Sequence, residues 1–299
     1  MSGRRITDWH LGHLVLDPAT GKGTTWDMGK PVSPDVVEKY QECVNFLEDL
    51  LSESPYSGLE KRYVELKSAI SAMWGPDYEV GSAPSHRSEI LSRLDNMLSA
   101  LRAFDDRTSR DLKHRCGDGS TPFRTFKEAL SYEYDNEFAY RFMYRLRNYS
   151  QHCGQPELTG SVKGRRTADG KIVRQVSMTF DLPALLRRFN KWGPQVKGEL
   201  EGMGEGLEVE PVVDRLFLSC GRAYGKLLVS LATDIRSAVD FIRSCDKSPD
   251  GSGTVPCFYG LNRDEWLSAG SRDTNVRLVR VDLADLADNV LVAAAGTAS

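Results

Sequence analysis

Phe138-Ala139-Tyr140-Arg141-Phe142-Met143-Tyr144-Arg145-Leu146-Arg147-Asn148-Tyr149-Ser150-Gln151-His152-Cys153, followed by Gly154, is the stretch on which the fold turns. Phe138, Phe142, Leu146 and Tyr149 recur at intervals of four and three, so they share one stripe of a helix that must be buried. Thr121-Pro122 opens this helical stretch, with a break expected near Ser131, and Cys153-Gly154 closes it. Upstream, Ile90, Leu94, Met97, Leu101 and Phe104 alternate at the same intervals, the seam of a helix packed in a bundle. Ser33-Pro34 starts another helix, carrying Val37, Tyr40, Val44, Leu47 and Leu51. A further helix runs from about Ser57 to Met73 and stops at Gly75-Pro76. Downstream come a short helix at Pro183–Phe189 and a long one from about Pro211 to Cys245. The long helix turns Leu216, Ala223, Leu227, Leu231, Ala238 and Ile242 inward.

The ends and one insertion read as β structure. His10–Leu16, the turn residues Asp17–Gly21 and Thr24-Thr25-Trp26 form a hairpin. Leu158–Phe180 forms a second hairpin, turning at Asp169-Gly170. After the loop Ser248–Gly253, Val255–Tyr259 and Val276–Val281 are strand-like, and a helix follows from Asp282. The expected fold is mainly α: a helical bundle with an inserted β-hairpin and small β elements at both ends. The expected domains are an arm at 1–32, a bundle at 33–248 with its insertion at 156–181, and a tail at 249–299.

The chain has 299 residues and a net charge of −3, with no global nucleic-acid signature. Its charge is unevenly spread. Between Arg141 and Trp192, eleven Lys and Arg face three acidic residues, a local +8 that leaves −11 elsewhere. Such a zone attracts a polyanion, unless acidic neighbours such as Glu199 neutralise it. The six cysteines are scattered without a metal-like spacing. Together with an N-terminus lacking an apolar leader core, they fit reduced thiols in the cytoplasm. No apolar run reaches the roughly 18 residues of a membrane helix.

Within the basic zone, Arg147-Asn148-Tyr149-Ser150-Gln151-His152 carries the chemistry. An imidazole titrates near neutrality and can move protons to and from an RNA 2′-hydroxyl or 5′-oxygen. A guanidinium presents forked donors to the charge that builds on phosphorus. Asn148 can orient His152 or bind a phosphate oxygen. On an ideal helix Arg147 and His152 point about 140° apart, which favours a groove built from two copies. Arg5–His10 has the same spacing, but Ile6 fills the polar slot and the segment is not helical.

Arg147-Asn148-x-x-x-His152 resembles the R-[N/D/H]-x-x-x-H motif of the HEPN superfamily, and the resemblance spans about residues 34–155. It implies a helical bundle and a metal-independent endoribonuclease that needs no cofactor. It also implies a site assembled in a homodimer through the motif helix, and a role as a toxin or anti-phage effector restrained by an antitoxin or other regulatory protein. Arg147, His152 and Asn148 are then the catalytic candidates. Tyr149, Gln151, Arg145, Arg141, Lys163, Arg165 and Arg166 are the candidates for gripping RNA. The alternative in the same family is a non-catalytic module that binds nucleic acid or a partner protein. The structural alternative is an Arg147 paired with a carboxylate and a His152 that caps the helix.

Other motifs carry less. Gly21-Lys22-Gly23-Thr24 lacks the spacing and the following helix of a phosphate loop. His10 and His13 fall on opposite faces of a strand. Glu133 and Glu137 share a helical face that could hold Mg²⁺ but reads more simply as solvated.

Overall fold

The computed structural model describes residues 8–17, 19–20, 22–74, 83–166, 172–204, 206–246, 254–261 and 275–298. The fold is mainly α with small antiparallel sheets. The Asp169-Gly170 turn, the Gly75-Pro76 stop and the Ser248–Gly253 loop lie outside the described residues.

The chain divides otherwise than at 32 and 248. Met1–Glu53 and Leu231–Ala293 make one unit, and Ser54–Ser230 with Ala294–Ser299 make the other. The first unit joins the arm and the tail in one sheet. Strands β1 (Asp8–Leu16) and β2 (Gly23–Val32) form the expected hairpin, and β1 also pairs with β6 (Thr254–Leu261). With β7 (Asn275–Leu278) at the edge, the order is β2-β1-β6-β7. The β1–β2 register slips between Leu11 and His13. Gly29, at φ +57°, sits there, and a Cβ on it would lie 1.9 Å from the Leu11 carbonyl oxygen. Only glycine fits that bulge. Helices α1 (Pro34–Leu51) and α9 (Ala232–Ser244) pack together, and α10 spans Val281–Ala298. Tyr40 of α1 lies 4.9 Å, centroid to centroid, from Phe258 of β6. Its hydroxyl donates to the Leu278 carbonyl at 2.8 Å and accepts from the Arg280 N–H at 2.9 Å.

The second unit is the bundle. Its helices are α2 (Pro55–Ser71), α3 (Ala83–Cys116), α4 (Thr121–Asn136), α5 (Phe138–Cys153), α6 (Leu182–Arg188), α7 (Pro194–Gly202) and α8 (Val209–Ser230). The expected seam of α3 is buried throughout: Ile90, Leu94, Met97, Leu101 and Phe104 are at most 3% exposed. The hairpin β3 (Leu158–Arg166) and β4 (Ile172–Asp181) gains a short third strand, β5 (Gly206–Glu208). Phe180 of β4 roots this sheet against Phe142 of α5, edge to face at 5.3 Å.

Three boundaries differ from those the sequence suggests. The break before α5 falls at Glu137, in extended backbone (φ −111°, ψ 111°), not near Ser131. The Pro211–Cys245 helix is two helices, interrupted at Leu231, although its inward residues are buried as expected. Helix α7 was not expected at all. Its Gly198 and Gly202 look like loop residues, yet Pro194 opens it and Val196 and Leu200, one turn apart, are buried.

Candidate functional site

Helix α5 earns its place through the stripe that opened the sequence. Phe142, Leu146 and Tyr149 are fully buried, and Phe142 and Tyr149 each stack on Trp192 at 5.8 Å. Gly154, at φ +84°, ends the helix, and its N–H returns to the Ser150 carbonyl at 3.2 Å. The candidate residues therefore stand on a rigid rod fixed along one face, and the structure sorts them by side.

One side faces α3. Here Tyr144, Arg147 and Asn148 of α5 meet Leu98, Leu101 and Arg102 of α3 around a small, shallow cleft open to solvent. Arg147 is half-buried and donates to Asn148 Oδ1 at 3.4 Å. Among the described residues no carboxylate lies within ion-pair distance of it, so the paired-arginine alternative is not met. Arg102 donates to the Tyr144 hydroxyl at 3.2 Å and holds Asp106 at 2.7 Å. Further along the same interface, the Gln155 amide reaches Asp95 of α3 at 3.1 Å.

His152 stands elsewhere. It is exposed at the last turn, and its ring lies nearly parallel to Phe189 at 6.4 Å, just past α6. Beside it, Arg188 donates to the Cys153 carbonyl at 3.3 Å and to Glu157 at 3.1 Å, supplying a cation at the helix C-terminus. Within one chain Arg147 thus joins the α3 cleft and His152 the α6 end, the angular separation their spacing requires. Gln151 is exposed between them.

Two of the RNA-gripping candidates belong to the core instead. Tyr149 is 0% exposed, with Phe189 and Trp192 against its ring, so no base can stack on it. Burial pushes its phenol pKa up, against the lowering pull of Arg188. Arg141 is 5% exposed and donates to the Tyr134 carbonyl at 2.8 Å and to Glu199 at 2.5 Å, bracing α5 against α4 and α7. Arg145 is half-buried and commits two of its five donors to the Tyr134 hydroxyl at 3.0 and 3.1 Å. The basic zone is therefore smaller than its residue count.

Lys163, Arg165 and Arg166 lie on β3 opposite Gln175, Val173 and Ile172. Those positions are five to eight residues outward from the rooted Leu158–Phe180 pair, or about 16–26 Å at ~3.3 Å per residue. Their side chains lie outside the described residues. Glu133 is no solvated carboxylate. It is 1% exposed and takes a two-pronged bond from Arg222 at 2.9 and 2.5 Å.

Arg102 and Tyr144 are the residues that sequence reasoning missed. Arg102 directly follows the buried Leu101 and stands four residues after the buried Leu98, so it had to lie at the edge of the α3 seam. Its convergence with Arg147 needed the α3–α5 packing. No described helix is long and apolar enough to cross a membrane. Compared with known proteins, the chain matches no family model, no curated protein and no solved structure.

Proposed function

We propose that the protein is a metal-independent endoribonuclease of HEPN-like design, acting in the cytoplasm as a toxin or defence effector held in check by a partner. The observation that carries this reading is Arg147: a half-buried guanidinium, lining a cleft, with no carboxylate partner among the described residues. A cation placed so is available to an anion from outside. In the reaction, the 2′-oxygen loses its proton and bonds to phosphorus, the P–O5′ bond breaks, and the 5′-oxygen takes up a proton. The products are a 2′,3′-cyclic phosphate and a 5′-hydroxyl. Arg147 neutralises charge on the phosphoryl oxygens and His152 moves protons. Because the two diverge within one chain, the working site pairs Arg147 of one copy with His152 of another across a twofold axis.

Mixing variants tests the chemistry and the dimer together. Single-stranded RNA incubated with EDTA is cleaved by the wild type, whereas Arg147→Ala and His152→Ala are each inactive. Equal mixtures of the two inactive variants, allowed to exchange subunits, regain about a quarter of wild-type activity, because half of the dimers carry one intact composite site out of two. Loss of cleavage on chelation defeats the mechanism, and a mixture that stays inactive defeats the shared site.

A second reading is favoured by one observation: Arg102, Tyr144, Arg147 and Asn148 share a cleft that His152 does not line. A module that binds nucleic acid without cutting it needs only that cleft. It shows salt-sensitive RNA binding that Arg147→Ala weakens, with no product under any condition.

A further inference from the structure

The cleft between α3 and α5 has its acceptors engaged and its donors to spare. Asn148 Oδ1 accepts from Arg147 at 3.4 Å, which leaves the Asn148 amide N–H groups to donate. The Tyr144 oxygen accepts from Arg102 at 3.2 Å and keeps its own proton to give. Arg102 is held through Nε by Asp106 at 2.7 Å, one helical turn along, which fixes the plane of its guanidinium. The cleft also has buried apolar neighbours, Leu98 at 1% and Leu101 at 3% exposure, which keep part of its wall dry. Two cations on one small cleft repel each other, and among the described residues Arg102 has a carboxylate in reach while Arg147 has none. An oxyanion in the cleft offsets that repulsion and can take hydrogen bonds from the donors each guanidinium still has free.

We infer that this cleft is a phosphate-oxyanion site within a single chain. Arg102 of α3 and Arg147 of α5 are its charged arms, and Tyr144 and Asn148 its neutral donors. The inference rests on the reading that Arg147 faces a phosphate, and it adds Arg102 and Tyr144 as ligand-contacting residues. It does not depend on cleavage. A phosphodiester of RNA and a free phosphate or nucleotide share the required chemistry.

Inorganic phosphate titrated calorimetrically into the full-length protein at low salt tests the site directly. Wild type binds, Arg102→Ala and Arg147→Ala each bind about tenfold or more weakly, and Tyr144→Phe binds about threefold more weakly. Arg110→Ala, an exposed arginine on the same helix, binds as wild type. Arg102→Lys retains part of the affinity, which separates lost charge from a disturbed fold, and circular dichroism confirms helix content in each variant. No binding by wild type at millimolar phosphate overturns the proposal, as does wild-type affinity in Arg102→Ala. The salt dependence of single-stranded RNA affinity then identifies the source. A log–log slope reduced by about 0.7–1 in Arg102→Ala assigns the phosphate to an RNA backbone. An unchanged slope alongside lost phosphate binding assigns it to a small phosphate ligand. If phosphate binds as described and no RNA is ever cut, the nuclease reading fails and the oxyanion site stands.

Discussion

The two sides of helix α5 treat a guanidinium in opposite ways. Toward α4 and α7, Arg141 is sealed in with a carbonyl and a carboxylate, and Arg145 is tied to a phenol. Toward α3, Arg147 has, among the described residues, only a neighbouring amide as a hydrogen-bond acceptor and lies open to a cleft. An arginine whose partners are all inside the fold serves the fold. One whose strongest partner is missing is free to serve a ligand. The density of basic residues in a sequence cannot separate these two cases.

The largest effect belongs to the face that both sides depend on. Tyr149→Ala removes a fully buried aromatic and costs about 3–5 kcal/mol, seen as a large drop in the urea midpoint. A small drop would mean that Tyr149 faces solvent and that the sorting of the helix is wrong. Next come the two arginines themselves. Arg141→Met strands the Glu199 carboxylate and the Tyr134 carbonyl. It costs about 2 kcal/mol, at the lower end for such pairs because Glu199 keeps some water, with 27% of its side chain exposed. Arg147→Met changes stability by less than about 0.5 kcal/mol while weakening phosphate or RNA binding about tenfold or more. Equal losses of stability would erase the distinction.

The same rule extends to Tyr40 in the other unit, whose hydroxyl is satisfied on both sides by backbone. Tyr40→Phe costs about 1–2 kcal/mol through the Leu278 carbonyl and the Arg280 N–H left behind. Burial, the largest influence, holds the Tyr40 phenol up at about 12, against an ordinary value of 10.0. A raised value in the fold gives stability that is complete below the ordinary value and is lost as pH rises through the folded one. Thermal melts should therefore lose this contribution between pH ~10 and ~12 in wild type, and the change should be smaller in Tyr40→Phe.

Much of the fold was legible because periodic burial is a local property. The α3 seam is buried as its spacing requires, and so is the α5 stripe except at its first residue, Phe138, which is half-buried, while the β1–β2 hairpin is marked by its own turn residues. The interruption at Leu231 was not legible. Leu231 is 1% exposed and in phase with Leu227 and Ile242, and no glycine or proline marks the change from one unit to the other. The site was half legible. Arg147 and His152 stand out by residue type and spacing, and their divergence follows from helix geometry alone. The assignment of Arg141 to the core and the arrival of Arg102 at the cleft depend on which helices pack against α5, a tertiary fact. Glu199 and Tyr134, which claim Arg141, stand 58 and 7 residues from it in the chain.

The sheet of the first unit also bears on how the chain is made. Trp9 of β1 pairs with Gly260 of β6, so a growing polypeptide must hold its first strand without that neighbour until residue 260 has been synthesised. The Ser54–Ser230 block suffers no such delay, since all of it is synthesised before Leu231. During translation the block bearing Arg147 and His152 can take shape while β1 and β2 still wait for β6, a long-range closure that is slow by nature.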